Sequence, residues 1–438
     1  MIYVYYRKKC YKIEKNKGDL MFKLPGFTKV ERSWILYDVA NSAYILTIIT
    51  VLFPIYYQTV AANIDNRTQI FAFVTAGIAL TDAILAPIIG SLSDYKGNKK
   101  KFFKIFLTLG ILGGLFLAIP GLNALVLIIV FVISSIGYNM SNIVYDAFLV
   151  DVTDESRMDK VSSAGYAWGY IGSMIPFAVA ILPYALVTLG FLDSSFEQLA
   201  VSFAFVIAIV WWYIFSQPIL KDVKQVYELE HEKKPILRSY QRLFSTFKDI
   251  KKYKMIFLFM IAYLFYIDVV NTVIRLATTL GSDLGVGVTT LLGVVVLVQL
   301  VAFPSAIIYG KLASKYGGKV MILWGILVYA ITIGVTYFIN ENTTYLMWIV
   351  GLLVGTAQGG IQSISRSYFA KMLPEEKSNE FFGFFSVFGK FSGIISPFLL
   401  GLVITSWGTN LAVLVLYGPL AIGTLLFLFV NPKNKLEQ

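Results

Sequence analysis

The chain is 438 residues long, 57% of them apolar or aromatic and 14% charged, with a mean hydropathy of +0.71. Soluble domains carry about 45–50% apolar and about 25% charged residues, so this composition suits a bilayer better than water. A net charge of +11 leaves both a membrane and nucleic acid open as partners, whereas a single cysteine (Cys10) excludes an internal disulfide and a single histidine (His231) excludes histidine metal sites, Ser–His–Asp triads and histidine proton relays.

The first 33 residues are basic and contain no signal-peptide apolar core, so the first span is expected to serve as an uncleaved insertion signal. Apolar runs long enough to cross about 30 Å of hydrocarbon are predicted near 34–57, 69–92, 102–120, 124–149, 162–189, 199–219, 255–279, 287–309, 319–339, 345–370, 382–406 and 409–430. Residues 220–254 separate the first six spans from the last six. Within that stretch, residues 235–252 set Ile236, Leu237, Tyr240, Phe244 and Phe247 on one face, the pattern of an amphipathic helix on the inner leaflet; a solvated linker is the plainer alternative. With the N-terminus inside, all but three of the 37 Lys and Arg fall in inner segments or at the inner ends of spans. Arg67 is in an outer loop, and Arg275 and Lys390 lie deeper within spans. This is the positive-inside pattern with both termini cytoplasmic. The net charge thus reads as topology, and nucleic-acid binding has no further support. The expected organisation is all-α and multi-pass: a segment 1–33, a bundle 34–219, a linker 220–254, a second bundle 255–430 and a tail 431–438.

The halves match at an offset of roughly 220 residues. Gly90-Ser-Leu-Ser-Asp94-Tyr-Lys-Gly97-Asn-Lys99 after the second span pairs with Gly310-Lys-Leu-Ala-Ser314-Lys-Tyr-Gly317-Gly-Lys319 after the eighth. Gly172-x-x-x-Pro176-Phe177 in the fifth span pairs with Gly393-x-x-x-Pro397-Phe398 in the eleventh. Asn139, Asn142 and Asp146 in the fourth span correspond to Gln358, Gln362 and Arg366 in the tenth. The first and seventh spans share Asp38-Val-Ala-Asn-Ser42 and Asp268-Val-Val-Asn-Thr272, at an offset of 230 and with less weight. Two matching sets of six helices argue for a parallel repeat about an axis normal to the membrane, with a cavity between the halves.

These residues resemble the major facilitator superfamily, whose signature loop is similar to the Gly90–Lys99 stretch and, more weakly, to Gly310–Lys319. Trp34–Tyr44 (WILYDVANSAY), Tyr145–Asp151 (YDAFLVD), Gly359–Ala370 (GGIQSISRSYFA) and Phe381–Phe391 (FFGFFSVFGKF) resemble the branch of the vacuolar amino-acid effluxers linked to autophagy and their bacterial relatives. The resemblance implies twelve transmembrane helices in two pseudo-symmetric six-helix bundles, alternating-access transport and, in the vacuolar members, amino-acid export. It implies that Asp94 meets the positive end of the eleventh helix and a basic group, expected to be Arg157, when the inner side is closed. Gly90 and Gly97 then allow the tight turn, Gly310 and Gly317 repeat it, and Lys99 to Lys101 are expected to anchor the loop at the anionic leaflet. Ser314 replaces the acidic residue of the second loop, so a charge lock is expected on one side only. The large extra loops of the eukaryotic vacuolar members are absent, which favours a bacterial plasma-membrane protein.

Ionisable groups inside spans are costly and are read first as functional. Asp82 in the second span has no basic neighbour on its own helix; it is a proton or cation site or a packing residue bonded to a neighbouring helix. Asp268, Asn271 and Arg275 share one face of the seventh span, the acid and base roughly 10 Å apart along the axis, so each needs a partner elsewhere. A zwitterionic ligand would supply both, and snorkelling is the alternative for Arg275. Asn139, Asn142, Gln358 and Gln362 form polar stripes offering mid-membrane hydrogen bonds, with Asp146 and Arg366 as an inner gate pair; both charges lying in the headgroup region is the alternative. Lys390 is expected to bind a ligand carboxylate, neutralise Asp82 or snorkel, and Asp38 with Asn41 form a further polar pair on the first span. The glycines Gly165, Gly169 and Gly172 and then Gly389 and Gly393 permit close packing and bending.

The expected function is secondary active or facilitative transport, in the efflux direction, of amino acids or similar small polar solutes by a monomer without cofactor or metal; Asp82 and Asp268 are the two candidates for coupling to protons, and uncoupled transport is the alternative. Multidrug export is the second reading, which four amides disfavour, and a non-transporting nutrient sensor the third. No phosphate-binding loop supports an ATP-driven pump, and an enzyme is not expected.

Overall fold

In a computed structural model of the protein, residues 24–65, 67–230, 241 and 252–431 are described. Helix α1 (Lys29–Val60) opens on a capping box carried by Thr28-x-x-Glu31: the Thr28 hydroxyl accepts from the Glu31 N–H (3.2 Å) and the Glu31 carboxylate accepts from the Thr28 N–H (2.7 Å). It widens to π-helical geometry over Ile45–Leu52, directly before Pro54, whose missing N–H cannot serve the preceding turn. Five helices complete the first half: α2 (Arg67–Ser93), α3 (Asn98–Leu117), α4 (Ala124–Ala147), α5 (Met158–Thr188) and α6 (Glu197–Asp222). The second half holds α7 (Lys254–Asp283), α8 (Val288–Tyr316), α9 (Gly318–Tyr337), α10 (Leu346–Met372), α11 (Ser378–Phe391), α12 (Ile395–Val413) and α13 (Tyr417–Leu428).

Ten helices among the described residues are long and apolar enough to cross a membrane. Two of the twelve predicted spans depart from that description. The third coincides with α3, whose first turns carry Lys99, Lys100, Lys101 and Lys104. The eleventh is not continuous: α11 stops at Phe391, Gly393 takes φ +93°, and the chain resumes as α12, where Ile395–Ile404 is a short apolar helix. Gly408 then kinks α12, so the eleventh and twelfth predicted spans share one helix. The amphipathic helix expected over 235–252 lies outside the described residues apart from its last residue and Gln241.

Within the first half α1 packs on α5 and α6, and α4 on α2 and α3; within the second, α10 packs on α8 and α9, and α7 on α13. The halves meet where α5 crosses α8 and α10, and where α2 and α4 cross α11. Large apolar side chains such as Phe73, Leu80, Leu112, Phe116 and Leu125 are exposed on the outside of the bundle. Water would penalise that surface, whereas lipid tails accept it, and the helices satisfy their own backbone groups as hydrocarbon requires. The chain is thus an integral, multi-pass membrane protein of two helical bundles.

Candidate functional site

The halves are bonded together at one end of the molecule, where α2 turns into α3. The Asp94 carboxylate accepts from the Asn379 N–H (2.9 Å), the Asn379 side-chain amide (2.9 Å) and the Glu380 N–H (3.0 Å), at the first turn of α11. These donors are the unsatisfied amides of a helix start, where a carboxylate is favoured by the dipole. Gly90, one turn earlier, lies against the Asn379 carbonyl so closely that any Cβ would collide with it. Gly97 takes φ +75° to start α3. On the other side Gly310 makes the equivalent approach to Ser163 and the Asp159 carbonyl, and Gly317 (φ +92°) ends α8. Ser314, however, donates to the Gly310 carbonyl of its own helix (2.9 Å), so of the two loops it is the first that sends its own carboxylate across the halves.

Two expectations about this loop are corrected. Arg157 is not the partner of Asp94; it pairs with Glu31 (2.7 Å) and donates to the Gly26 carbonyl (3.0 Å), because the start of α5 faces the start of α1. Its hydrogen bond to the Glu31 carboxylate raises the Arg157 pKa above its ordinary value. Lys99 does not face lipid headgroups. It is fully buried, 2.6 Å from Asp151 and 3.0 Å from the Ser378 hydroxyl, and so joins the two halves. Asp151 in turn accepts from the N–H groups of Val226 (2.7 Å) and Tyr227 (3.0 Å), where the linker leaves α6.

The second contact centres on Arg366 of α10, which is 3% exposed. Its Nη1 lies 3.0 Å from Asp146 of α4 and its Nη2 3.0 Å from Asp38 of α1; Nε donates to the Ser162 hydroxyl (3.0 Å) and Nη2 to the Ser162 carbonyl (3.1 Å). The guanidinium lies over three rings, 4.6 Å from the centroid of Trp34, 4.5 Å from Tyr166 and 5.6 Å from Tyr145. Asp38 was grouped by sequence with the ligand contacts, yet here it shares the Arg366 guanidinium with Asp146. Gly165 explains how it fits: a Cβ there would strike the Asp38 carboxylate. Below Arg366 the same seam continues through Ser162 to the Ser363 carbonyl (2.7 Å) and Asp159 to Ser367 (2.7 Å) and Lys371 (2.6 Å).

Further from this end the polar stripes of α4 and α10 are taken up by different neighbours. Asn139 donates to Asp82 (2.7 Å), which is fully buried between α2 and α4. Asn41 donates to Asn142 (3.1 Å), and Tyr170 of α5 donates to Gln362 across the halves (3.4 Å). The Gln358 side-chain oxygen is buried and has no hydrogen-bond partner among the described residues, as has Gln299 on α8. An amide oxygen so placed costs free energy until something donates to it.

Asp268 and Asn271 are bonded to the chain where α11 gives way to α12. Asp268 is fully buried and accepts from the Gly393 N–H and, at 2.8 Å, the Ser396 N–H, while Asn271 donates to Ser392 (2.8 Å). Together they satisfy the backbone exposed by the interruption between α11 and α12, a feature that hydropathy alone does not register. The side chains of Arg275 and Lys390 lie outside the described residues.

Sequence reasoning missed Trp34, Tyr145, Tyr166 and Ser162 around Arg366. A signal was available: Trp34 is one helical turn before Asp38, Tyr145 adjoins Asp146, and Ser162 is one turn before Tyr166. Aromatics beside intramembrane acids mark a place for a cation.

The family described as "Vacuole effluxer Atg22 like" matches residues 62–438. An uncharacterized MFS-type transporter, YxiO of Bacillus subtilis, is 43% identical over 417 residues, 94% of this chain and 97% of its own. Autophagy-related protein 22 of Pichia angusta is 25% identical over 56% of this chain, which spans half of that relative's length. Among solved structures, the human organic anion transporter MFSD10 has a similar fold (TM-score 0.67, 12% identity, 91% of this chain and 99% of that one). A bacterial homologue of the iron transporter ferroportin in an outward-facing state does too (TM-score 0.64, 16% identity, 91% and 98% covered). The fold, the matched residues and the extent of identity agree: the chain belongs to the Atg22-like vacuole effluxer family, within the major facilitator superfamily of transporters.

Proposed function

We propose that this protein exports amino acids or similar small polar solutes by alternating access, coupled to protons, as a monomer in a bacterial plasma membrane with both termini cytoplasmic. In this reading the end carrying Asp94, Lys99 and Arg366 is the cytoplasmic gate, here closed. The carrying observation is the Arg366 contact, in which one half supplies the base and the other supplies Asp38 and Asp146. Removing one partner from a buried ion pair costs about 3–5 kcal/mol, so such a lock holds a state firmly and must be broken as a unit.

Asn142, Gln358 and Gln362 are assigned to solute hydrogen bonding, with Asn41 and Asn139 holding Asn142's neighbourhood and Asp82 in position. These three amides suit a polar solute better than a greasy one, since a greasy solute would leave the buried Gln358 oxygen without a donor. Asp82 is the assigned proton site, and Arg275 and Lys390 are assigned to the solute carboxylate. Counterflow in proteoliposomes with a panel of labelled amino acids, with and without a pH gradient, tests the reading. Exchange of at least one amino acid is expected, and exchange of none would sink it. Asp146→Arg and Arg366→Asp should each abolish exchange, and the double swap should restore part of it; no restoration would remove the gate pairing.

A further inference from the structure

Among the described residues, every group that pairs with, hydrogen-bonds to or lies under the Arg366 guanidinium belongs to the first half: Trp34 and Asp38 on α1, Tyr145 and Asp146 on α4, Ser162 and Tyr166 on α5. The occupant alone comes from the second half. These groups therefore form a complete cation box, with two carboxylates, a hydroxyl and three aromatic faces, filled by a side chain that departs when the halves separate at this end. Once vacated, two carboxylates would remain among aromatic rings without a base. Desolvated acids without a counter-charge are strongly disfavoured, so the vacated box draws in a cation. The occupied box is also short of positive charge, with two acids facing one base, and among the described residues neither acid has another basic partner. The Asp146 side chain is 28% exposed where that of Arg366 is only 4%, so an approaching solute reaches Asp146 first.

We propose that this box is a binding site for a primary ammonium or guanidinium group on the transported solute, and that Arg366 is its built-in competitor. The solute's cationic group takes the place of the guanidinium as the gate opens, so loading and gate opening become one event. Solutes lacking such a group, including carboxylates and N-acylated amines, leave the two acids unpaired and are rejected. The proposal rests on the transport reading above but makes a binding claim that needs no flux.

The binding claim is tested in purified full-length protein carrying Arg366→Ala or Arg366→Gln, by thermal unfolding with methylguanidinium, methylammonium or acetate. Both cations should raise the unfolding temperature of the variants and acetate should not. Adding Asp146→Asn should remove the effect, and adding Trp34→Leu should weaken cation binding about tenfold, in line with a cation–π contact of roughly 1–2 kcal/mol. No stabilisation by either cation in monodisperse variants overturns the proposal. Should both variants fail to fold, counterflow in the wild-type protein decides, comparing an amino acid with its N-acetyl derivative. Exchange at least tenfold slower for the derivative supports the box, whereas equal exchange overturns it and leaves the transport reading intact. No exchange of any compound overturns the transport reading, and the thermal measurement then judges the box by itself.

Discussion

The pentapeptides Asp38–Ser42 on α1 and Asp268–Thr272 on α7 look like copies, and the molecule uses them differently. Asp38 reaches across the halves to Arg366, while Asp268 stays within its own half and accepts from the Gly393 and Ser396 amides. The difference lies in the helix each one meets. Helix α5 runs unbroken through Gly172 and Pro176, so its amides are used internally and only Gly165 makes room for the Asp38 carboxylate. The matching stretch around Gly393 and Pro397 is interrupted, and the free amides at the start of α12 need an acceptor. An internal repeat supplies equivalent residues, but neighbouring backbone decides whether a carboxylate becomes a gate or a cap.

The largest expected effect separates these two acids. In Asp268→Asn the amide has one oxygen for two N–H groups and sets an NH2 against one of them. An unsatisfied buried donor costs about 1–3 kcal/mol, so thermal unfolding in detergent should move down clearly. Asp38→Asn still accepts from Arg366, which also keeps Asp146, so its unfolding temperature should move less. Its effect should instead be conformational: about 1 kcal/mol lost from the closed gate is roughly a fivefold shift in population. A thiol-reactive label on Ser363→Cys, in a Cys10→Ser background, reports that opening. If Asp38→Asn destabilises more than Asp268→Asn and labels no faster, the division between gate and cap is wrong.

The signature loops offer the next contrast. Asp94→Asn removes the charge from the α11 N-terminus, a contribution of about 0.3–2 kcal/mol, and should increase labelling at Ser363→Cys. The reciprocal Ser314→Asp should not build a second lock. Gly310, one turn earlier, already lies against Asp159, whose carboxylate serves Ser367 and Lys371. A new acid there meets an existing one, so labelling should rise or stay level. Slower labelling in Ser314→Asp would show that the two loops are interchangeable after all.

Most of the fold was legible because hydrophobic length and charge placement report directly on the bilayer. The Asp146–Arg366 contact was legible from charge type and position along a helix, and the Asp94 cap through the resemblance of its loop to the superfamily's signature. Three features were not legible. The interruption after Phe391 occurs inside an apolar run, and hydropathy is blind to backbone direction. The pairing of Arg157 with Glu31 rather than Asp94 depends on how α1 and α5 cross, which no single-helix pattern encodes. Lys99 looks like a surface lysine in a run of three, and only the fold reveals Asp151 and Ser378 beside it.

The smallest effect belongs to the two asparagines of the pentapeptides, and it tests the comparison most finely. Asn41 and Asn271 each donate one side-chain hydrogen bond, to Asn142 at 3.1 Å and to Ser392 at 2.8 Å. Truncation to alanine removes one neutral bond in each case, about 0.5–1.5 kcal/mol, so neither variant should unfold outright. The consequences should still differ in kind. Asn142 belongs to the amide set assigned to the solute, and without Asn41 its carbonyl is free to turn, so half-saturation in counterflow should rise a few-fold with little change in unfolding temperature. Ser392 belongs to the α11–α12 interruption, so Asn271→Ala should lower the unfolding temperature slightly and leave half-saturation unchanged. Equal behaviour of the two variants would mean that α1 and α7 hold the same kind of residue for the same purpose, and that the contrast between the acids does not extend one turn along either helix.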